Sequence, residues 1–432
     1  MSGKPILLAA AAVWLVAGGP LAWACSDVFV ACGPYAAAPA SMRTADWVAY
    51  NDLNFTVGLS PPKLQYNAAA LAAGLTGTRY TWRHGFAGLF LLDGAILEDG
   101  LNDAGLSAAW LWQDASPMQS NYSAEGPEVA LAAQDLVPYL LGNFRTVKEV
   151  ADFMDPQKLQ VVSNAPGSPW IYMMQALDYP TDWFPAHLTV RDAQGDSLLE
   201  EFRPGGAWQL YPGAEVVTNE DSYEQNLFYL AAWENHTANP CWEPPFPQDA
   251  DLLDPPGEFS PQERFIRLSM LLKGACQFGG EYPRGQSWSP NRTEAQETGG
   301  MPAIAVAQSL LRSVTVPWGA KGTPNGVGLG SNTEVIVLRA HKQPLYLFSS
   351  IGNPQWQGFD LSETDWAELN GAMRYVPLTK NADSWWADLT PGRGGSSSAA
   401  SAPPAVQTSG AGAARLAAVA SVLAATAAAA LL

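Results

Sequence analysis

Positive charge is scarce in this chain. Its 432 residues carry 23 lysines and arginines against 41 aspartates and glutamates, a formal net charge of −18. Nucleic-acid affinity comes largely from Lys and Arg neutralising phosphates, so this balance excludes a DNA- or RNA-binding protein. Charge of either sign is low at 15%, whereas aromatic residues reach 11% with 17 tryptophans. A disordered chain has the opposite composition, because it cannot bury enough apolar surface to offset the entropy of ordering. A large packed core is therefore expected. The four histidines, His84, His187, His236 and His341, show no metal-ligand spacing, so no metal is expected. The acidic group Asp249, Asp251, Asp254 and Glu258 reads as a Pro-rich solvated loop. Gly326-Val-Gly-Leu-Gly330 lacks the strand before and helix after that a nucleotide loop needs, and no cofactor is expected.

The interior also lacks linkers. Between residues 25 and 391 there is no Ser/Gly stretch, charge block or repeat, which points to one domain rather than the two or three that length allows. The only segments unlike the rest are the ends. Residues 1–24 carry Lys4, an apolar run from Ile6 to Val16, a Gly18-Gly19-Pro20 break and the small-x-small pattern Ala22-Trp23-Ala24, which read as a secretory signal peptide. Residues 392–415 are Gly/Ser/Ala/Pro-rich and read as a flexible linker. Residues 416–432 carry no charge and read as a hydrophobic C-terminal segment, either a glycolipid-anchor signal with its attachment site near Ser396 to Ser401 or a transmembrane tail. A secreted or surface-anchored protein follows, and the sequons at Asn54, Asn121, Asn235 and Asn291 become candidate glycosylation sites. Four cysteines exist. In an oxidising compartment Cys241 and Cys276 are the expected disulfide.

Short alternating runs at residues 26–32, 107–112, 187–192, 197–202, 214–218, 333–339 and 344–350 read as strands, with hairpin turns at 193–196 and 340–343. Helix starts are marked by capping hydroxyls three residues before Glu or Gln, at Thr146, Ser222 and Ser260. Further helices are expected over 125–141 and 301–312. Hairpins interleaved with helices indicate an α+β protein of antiparallel sheets flanked by helices rather than a chain of βαβ units.

The distinctive feature is Cys25 at the signal-peptide scissile bond. Cleavage there would give one residue both a thiol and a free α-amine, nucleophile and base together. Lipid attachment to Cys25 fits poorly, because Ala22 stands where a lipobox has Leu. Taken in order, Cys25, Ser41-Met-Arg-Thr-Ala-Asp-Trp47, Asp99-Gly-Leu-Asn-Asp-Ala-Gly-Leu106, Val217-Thr-Asn219 and Ser260-Pro-Gln-Glu-Arg-Phe-Ile-Arg267 resemble the choloylglycine hydrolase family. That family includes bile salt hydrolases and penicillin V acylases, N-terminal nucleophile amidases with a four-layer αββα sandwich. The resemblance runs from Cys25 to about Leu361. It implies Cys25 as nucleophile, Arg43 and Asp46 as the pair that holds its thiol and amine, Asn219 as an oxyanion-hole donor and Arg264 as an arginine near the reacting carbonyl. Arg264 falls in the first turn of its helix, where the dipole disfavours a cation; function or an ion pair with Glu263 or Asp254 would each account for it.

Trp112 stands where bile salt hydrolases have Asn, and Trp47 follows the Asp. Both features resemble the Gram-negative penicillin V acylase branch, associated with penicillin V and acyl-homoserine lactones. The Trp112 N–H is then the second oxyanion donor, and the indoles of Trp47 and Trp112 line an acyl pocket or belong to the core. The resemblance implies a cofactor-independent amidase acting on a small N-acyl amide, with fatty acyl ethanolamides or ceramide-like lipids as a further substrate class. A surface-anchored, non-catalytic binding protein on the same scaffold is the competing expectation. Membrane attachment would come through the C-terminal tail, and a homo-oligomer is compatible with the sequence.

Overall fold

The computed structural model describes residues 25–48, 55–66, 80–92, 94–113, 129–163, 169–176, 180, 184–203, 207–237, 255–278, 303–317, 331–350, 353–378 and 386–388. The expected signal peptide, linker and C-terminal tail lie outside these residues, as do Cys241 and the sequon asparagines 54, 121 and 291. Among the described residues no helix is long and apolar enough to cross a membrane.

The strands are β1 (Ser26–Val30), β2 (Ala40–Val48), β3 (Thr56–Ser60), β4 (Gln65–Tyr66), β5 (Tyr80–Thr81), β6 (Phe86–Leu91), β7 (Ile96–Asn102), β8 (Ser107–Trp112), β9 (Val129–Ala132) and β10 (Leu159–Val162). After these come β11 (Ala186–Arg191), β12 (Ser197–Phe202), β13 (Trp208–Pro212), β14 (Val216–Thr218), β15 (Ser331–Ala340), β16 (Leu345–Ser350), β17 (Asn353–Asp360), β18 (Arg374–Pro377) and β19 (Trp386–Asp388). The helices are α1 (Ala133–Asn143), α2 (Val147–Phe153), α3 (Pro169–Ala176), α4 (Tyr223–Thr237), α5 (Pro261–Phe278) and α6 (Ala303–Arg312).

Two large sheets result. The seven-stranded one runs β14-β1-β2-β15-β16-β17-β19 and the eight-stranded one β13-β12-β11-β8-β7-β6-β3-β18. Apart from the parallel β17–β19 edge pair, neighbours in both are antiparallel. Val28, Val30, Met42 and Leu338 of the first sheet pack against Phe265, Leu268 and Leu272 of α5 and Val306, Ala307 and Leu310 of α6. Leu136, Val137, Leu140 and Leu141 of α1 join the cluster that covers the second sheet. The layers are therefore helix, sheet, sheet, helix, the α+β sandwich that the sequence motifs imply.

Local signals placed most elements. The hydroxyl oxygens of Thr146, Ser222 and Ser260 accept from the N–H of Glu149 (3.2 Å), Gln225 (3.3 Å) and Glu263 (3.3 Å), as N-caps do. One boundary differs: residues 129–132 are strand, paired in parallel with β10, and the helix begins only at Ala133. An apolar run such as Val129–Ala132 fits either state, and ladder bonding to a partner remote in sequence decided it. In the β7–β8 turn, Asn102 Oδ1 accepts from Ala104 and Leu106 N–H, while its Nδ2 donates to the carbonyls of Leu141 and Phe144. Gly105 there has φ +86°, and a Cβ would sit 2.1 Å from the His341 carbonyl oxygen, so this motif glycine is fixed by backbone conformation and close approach.

The expected Cys241–Cys276 bridge is corrected. Cys276 on α5 is bonded to Cys32, with Cα atoms 5.4 Å apart. Packing of α5 against the end of β1 brings together two residues 244 apart in sequence, a proximity that spacing could not reveal.

Glu200 lies on β12 between Leu198 and Phe202, fully buried, and neither carboxyl oxygen has a hydrogen-bond partner. Burial raises its pKa well above the ordinary 4.5. The folded state thus keeps a proton that the unfolded chain releases, so stability is full below about pH 4.5 and falls as pH rises toward the folded-state pKa. Glu200→Gln should raise unfolding free energy by about 1–3 kcal/mol at pH 7.5 and by much less at pH 4. Urea denaturation at both pH values checks this; a difference independent of pH refutes it.

Candidate active site

Cys25 immediately precedes β1, between β14 and β2. It is the free cysteine among the described residues and is 2% exposed, packed with Ala109, Leu111, Leu199 and Val217. Its Sγ lies 3.8 Å from Arg43 Nη2, and its S–H faces the Asp46 carbonyl oxygen at 4.0 Å. Burial pushes the thiol pKa up, the Arg43 guanidinium draws it down, and Glu98 and Asp46 raise it again.

Arg43 and Asp46 are both on β2 and fully buried, not in a solvated turn. Arg43 donates to the Glu98 carboxylate and, at 3.3 Å, to the Glu98 carbonyl, and its Nη1 is 3.7 Å from Asp99. These carboxylates hold its pKa above the ordinary value against the opposing effect of burial. Consecutive strand residues normally point to opposite faces. Here the register between β6 and β7 steps from Leu89↔Asp99 to Phe90↔Leu97, so Glu98 is the bulged residue. The bulge lets both acids reach one guanidinium. A second bulge skips Glu334 on β15 and places Thr333 opposite Asp46. Asp46 Oδ1 then accepts from Thr333 Oγ1 at 2.5 Å, and its Oδ2 from Thr44 Oγ1 at 3.2 Å.

Arg264, in the first turn of α5, carries the other half of the site. Its Nη1 donates to the Cys25 carbonyl at 2.8 Å and to Ser26 Oγ, Nη2 donates to Asn219 Oδ1 at 3.1 Å, and Nε donates to the Phe259 carbonyl at 3.1 Å. Contacts with the Cys25–Ser26 segment, rather than an ion pair with Glu263, account for a cation at this helix start; Glu263 instead accepts from the Glu258 N–H at 2.7 Å. Burial lowers the Arg264 pKa to about 10, with Asp46 and Cys25 opposing the shift. Because Arg264 occupies Asn219 Oδ1, the amide must present its NH2 elsewhere, and Nδ2 donates to the Trp112 carbonyl at 2.9 Å. On a strand the N–H and C=O of one residue leave on the same side and alternate with the next residue. Gln113 N–H goes to Pro185, so the Trp112 N–H leaves on the opposite side, toward Asn219.

Trp47 and Trp112 are each 4% exposed, with ring centroids 6.1 Å apart in an edge-to-face arrangement. Trp170 follows at 6.2 Å from Trp112, and Phe184 at 4.3 Å from Trp170. The two indoles therefore belong to the core cluster, and it is the backbone that carries them that adjoins the site: the Asp46 carbonyl, just before Trp47, meets Cys25 Sγ, and the Trp112 carbonyl accepts from Asn219.

Residues 39–278, more than half of the chain, match the family model for linear amide C–N hydrolases, choloylglycine hydrolase family. The chain belongs to that family. A bile salt hydrolase/transferase of Lactiplantibacillus plantarum is 28% identical over 183 residues, 40% of this chain and 50% of the relative. This chain thus spans about half the length of the curated relative it matches. Among solved structures, penicillin V acylase from Agrobacterium tumefaciens superposes with a TM-score of 0.60 at 22% identity, covering 84% of this chain and 95% of that one. A variant of conjugated bile acid hydrolase from Clostridium perfringens gives 0.60 at 15%, covering 83% and 98%. These likenesses show the N-terminal nucleophile hydrolase fold.

Of the residues singled out from sequence, Cys25, Arg43, Asp46, Asn219, Arg264, Trp47 and Trp112 converge on one site in this family member. Asn235 lies on α4. Glu98, Ser26 and Thr333 were not singled out. Glu98 did carry a signal, an acid beside Asp99 in an otherwise apolar strand; Thr333 carried none, because its role depends on a bulge. If Arg43 lowers the thiol pKa, Arg43→Gln should slow iodoacetamide labelling of Cys25 about tenfold at pH 7.5, the effect of roughly one pKa unit; because burial already raises the parent thiol above its ordinary pKa of 9.0, the two rates converge only at pH values well above 9. An unchanged pH profile would show that the guanidinium does not act on the thiol.

Proposed function

We propose that the protein is an exported amidohydrolase that cleaves linear, non-peptide C–N bonds of N-acyl substrates through a Cys25 thioester. The observation that carries this reading is the free, buried Cys25, whose thiol faces Arg43 while its carbonyl is held by the same guanidinium that orients Asn219. Cleavage after Ala24 supplies the α-amine. That amine takes the thiol proton, and the sulfur adds to the substrate carbonyl. Asn219 Nδ2 and the Trp112 N–H stabilise the resulting oxyanion, a contribution whose loss typically costs about 100-fold or more. The ammonium then returns the proton to the leaving amine, the thioester forms, and water releases the acid. No cofactor takes part.

The apolar side chains of Ala109, Leu111, Leu199 and Val217, packed around Cys25, favour an apolar acyl group, aryl or fatty, and so N-acyl amides of both kinds as substrates, including the lipid-directed reading. The charge-free C-terminal segment supports attachment of the mature enzyme at the cell surface, and the sequons support passage through a glycosylating secretory route.

Mass spectrometry of the purified mature protein after iodoacetamide should recover a peptide that begins at alkylated Cys25 with a free amine. An internal, acylated or disulfide-bonded Cys25 rules the mechanism out. Against a panel of phenoxyacetyl, bile-acid and fatty acyl amides, Cys25→Ala should lose turnover by at least about 10³-fold with thermal stability retained; residual activity near that of the parent would assign the chemistry elsewhere.

A further inference from the structure

Glu201 sits on β12, fully buried, next to the unpartnered Glu200 but facing the opposite way. One of its oxygens gathers two donors. Oε1 accepts from Gln113 Nε2 at 3.1 Å and from the Tyr223 N–H at 2.7 Å. Gln113 follows Trp112 at the end of β8. Tyr223 opens α4, four residues after Asn219. Gln113 Nε2 also donates to the Asp221 carbonyl at 3.1 Å. The strand end carrying the Trp112 N–H and the segment carrying Asn219 are thus tied to one carboxylate oxygen and to each other.

The surroundings keep this carboxylate charged. Burial pushes its pKa up, but the nearby His187 ring and the hydrogen bonds from the Tyr223 N–H and Gln113 outweigh burial and leave it below the ordinary range. His187 Nδ1 lies 3.9 Å from Oε1 and Arg203 Nη2 3.6 Å from Oε2. A charged acceptor roughly doubles the strength of the bonds it receives. Asn226 Nδ2 adds a brace from within α4, donating to the carbonyls of Glu220 (3.2 Å) and Asp221 (3.5 Å).

We propose that Glu201 is a positioning residue for the oxyanion hole: by holding Gln113 and the Tyr223 N–H at one oxygen, it fixes the gap between the Trp112 N–H and the Asn219 amide. It touches no reacting atom itself. Oxyanion donors work at about 2.7–3.1 Å from the developing oxyanion, and misplacement of an ångström costs on the order of 100-fold. The carboxylate therefore controls turnover without changing nucleophile ionisation, which Arg43 governs from the opposite side of Cys25. This inference rests on the amidase reading for its biological meaning but has a separate readout.

The probe is a trifluoromethyl ketone carrying a phenoxymethyl or a nonyl group, with the purified mature protein. Cys25 sulfur adds to the ketone carbon, the thiol proton ends on the oxygen, and the tetrahedral hemithioketal places that oxygen in the oxyanion hole. The electron-withdrawing trifluoromethyl group disfavours loss of that oxygen as water to a thiazolidine with the Cys25 α-amine, and an intact mass equal to protein plus ketone confirms that it is retained. Iodoacetamide alkylation reports the same thiol without using the hole. Glu201→Ala and Gln113→Ala should each weaken ketone binding at least tenfold while alkylation rates stay within twofold. Glu201→Gln, which keeps an acceptor oxygen, should recover most of the affinity, and Gln113→Ala decides the matter if Glu201→Ala does not fold. Ketone affinity within twofold of the parent in Gln113→Ala overturns the inference. So does a parallel loss of ketone binding and alkylation, which marks general collapse of the site, and so does an unmodified protein that binds neither ketone. Turnover of the amide panel is scored separately: its absence in a protein that binds the ketone defeats the amidase reading, while the variants still decide the role of Glu201.

Discussion

Three guanidinium groups and three carboxylates lie between the two sheets, and the site depends on their being matched. Asp27, Arg43 and Arg339 come from the seven-stranded sheet, Glu98, Asp99 and Arg191 from the eight-stranded one. Arg339 donates to Asp27 and, at 3.0 Å, to Asp99; Arg191 lies 3.5 Å from Asp27; Tyr346 donates to Asp99 at 3.1 Å. All six ionic side chains are 5% exposed or less. Desolvating isolated ions costs several kcal/mol each, so such a layer persists only when every charge is paired. Loss of one partner leaves another uncompensated at the sandwich centre, and because Arg43 is both a member of the network and the neighbour of Cys25 Sγ, integrity of the fold and the electrostatics of the Cys25 thiol are coupled.

This arrangement separates two tasks. The β2 side, with Arg43 held by Glu98 and Asp99, sets the electrostatic environment of the thiol. The α5 side, with Arg264 bridging the Cys25 carbonyl and Asn219, fixes the Asn219 amide against the Cys25 segment. Helix dipole considerations make Arg264 an unfavourable choice at the start of α5, and its lowered pKa reflects burial. Its contacts with Cys25, Ser26, Asn219 and Phe259 explain why a cation is kept there. The disulfide between Cys32 and Cys276 joins the end of the β1 segment to the far end of the same helix, so α5 is fixed to the β1 segment at both termini.

Two β-bulges show how small backbone irregularities build the site. Regular pleating on β7 would send Glu98 and Asp99 to opposite faces, and on β15 it would carry Thr333 out of step with Asp46. Each inserted residue shifts register locally and turns a polar side chain toward the Cys25 end of the sandwich. The Asn102 and Gly105 positions of the family motif play a different part: they close the β7–β8 turn against α1 and His341 and so hold the strand that bears both acids.

Much of this was legible in the chain itself. Alternation placed the central strands, capping hydroxyls placed the starts of α2, α4 and α5, and the ordered motifs around Cys25, Arg43, Asp46, Asn219 and Arg264 identified the residues that converge, because periodicity, caps and motif order are local properties that survive without knowledge of partners. What required the tertiary structure was every relation between remote segments: the Cys32–Cys276 pairing, the preference of residues 129–132 for a strand beside β10, the recruitment of Glu98 through a bulge, and the single Glu201 oxygen that meets both Gln113 and Tyr223. Sequence determines which side chains are available and which local shapes they favour. Sheet register and packing determine which of them meet, since a shift of one residue reverses the face on which a side chain appears.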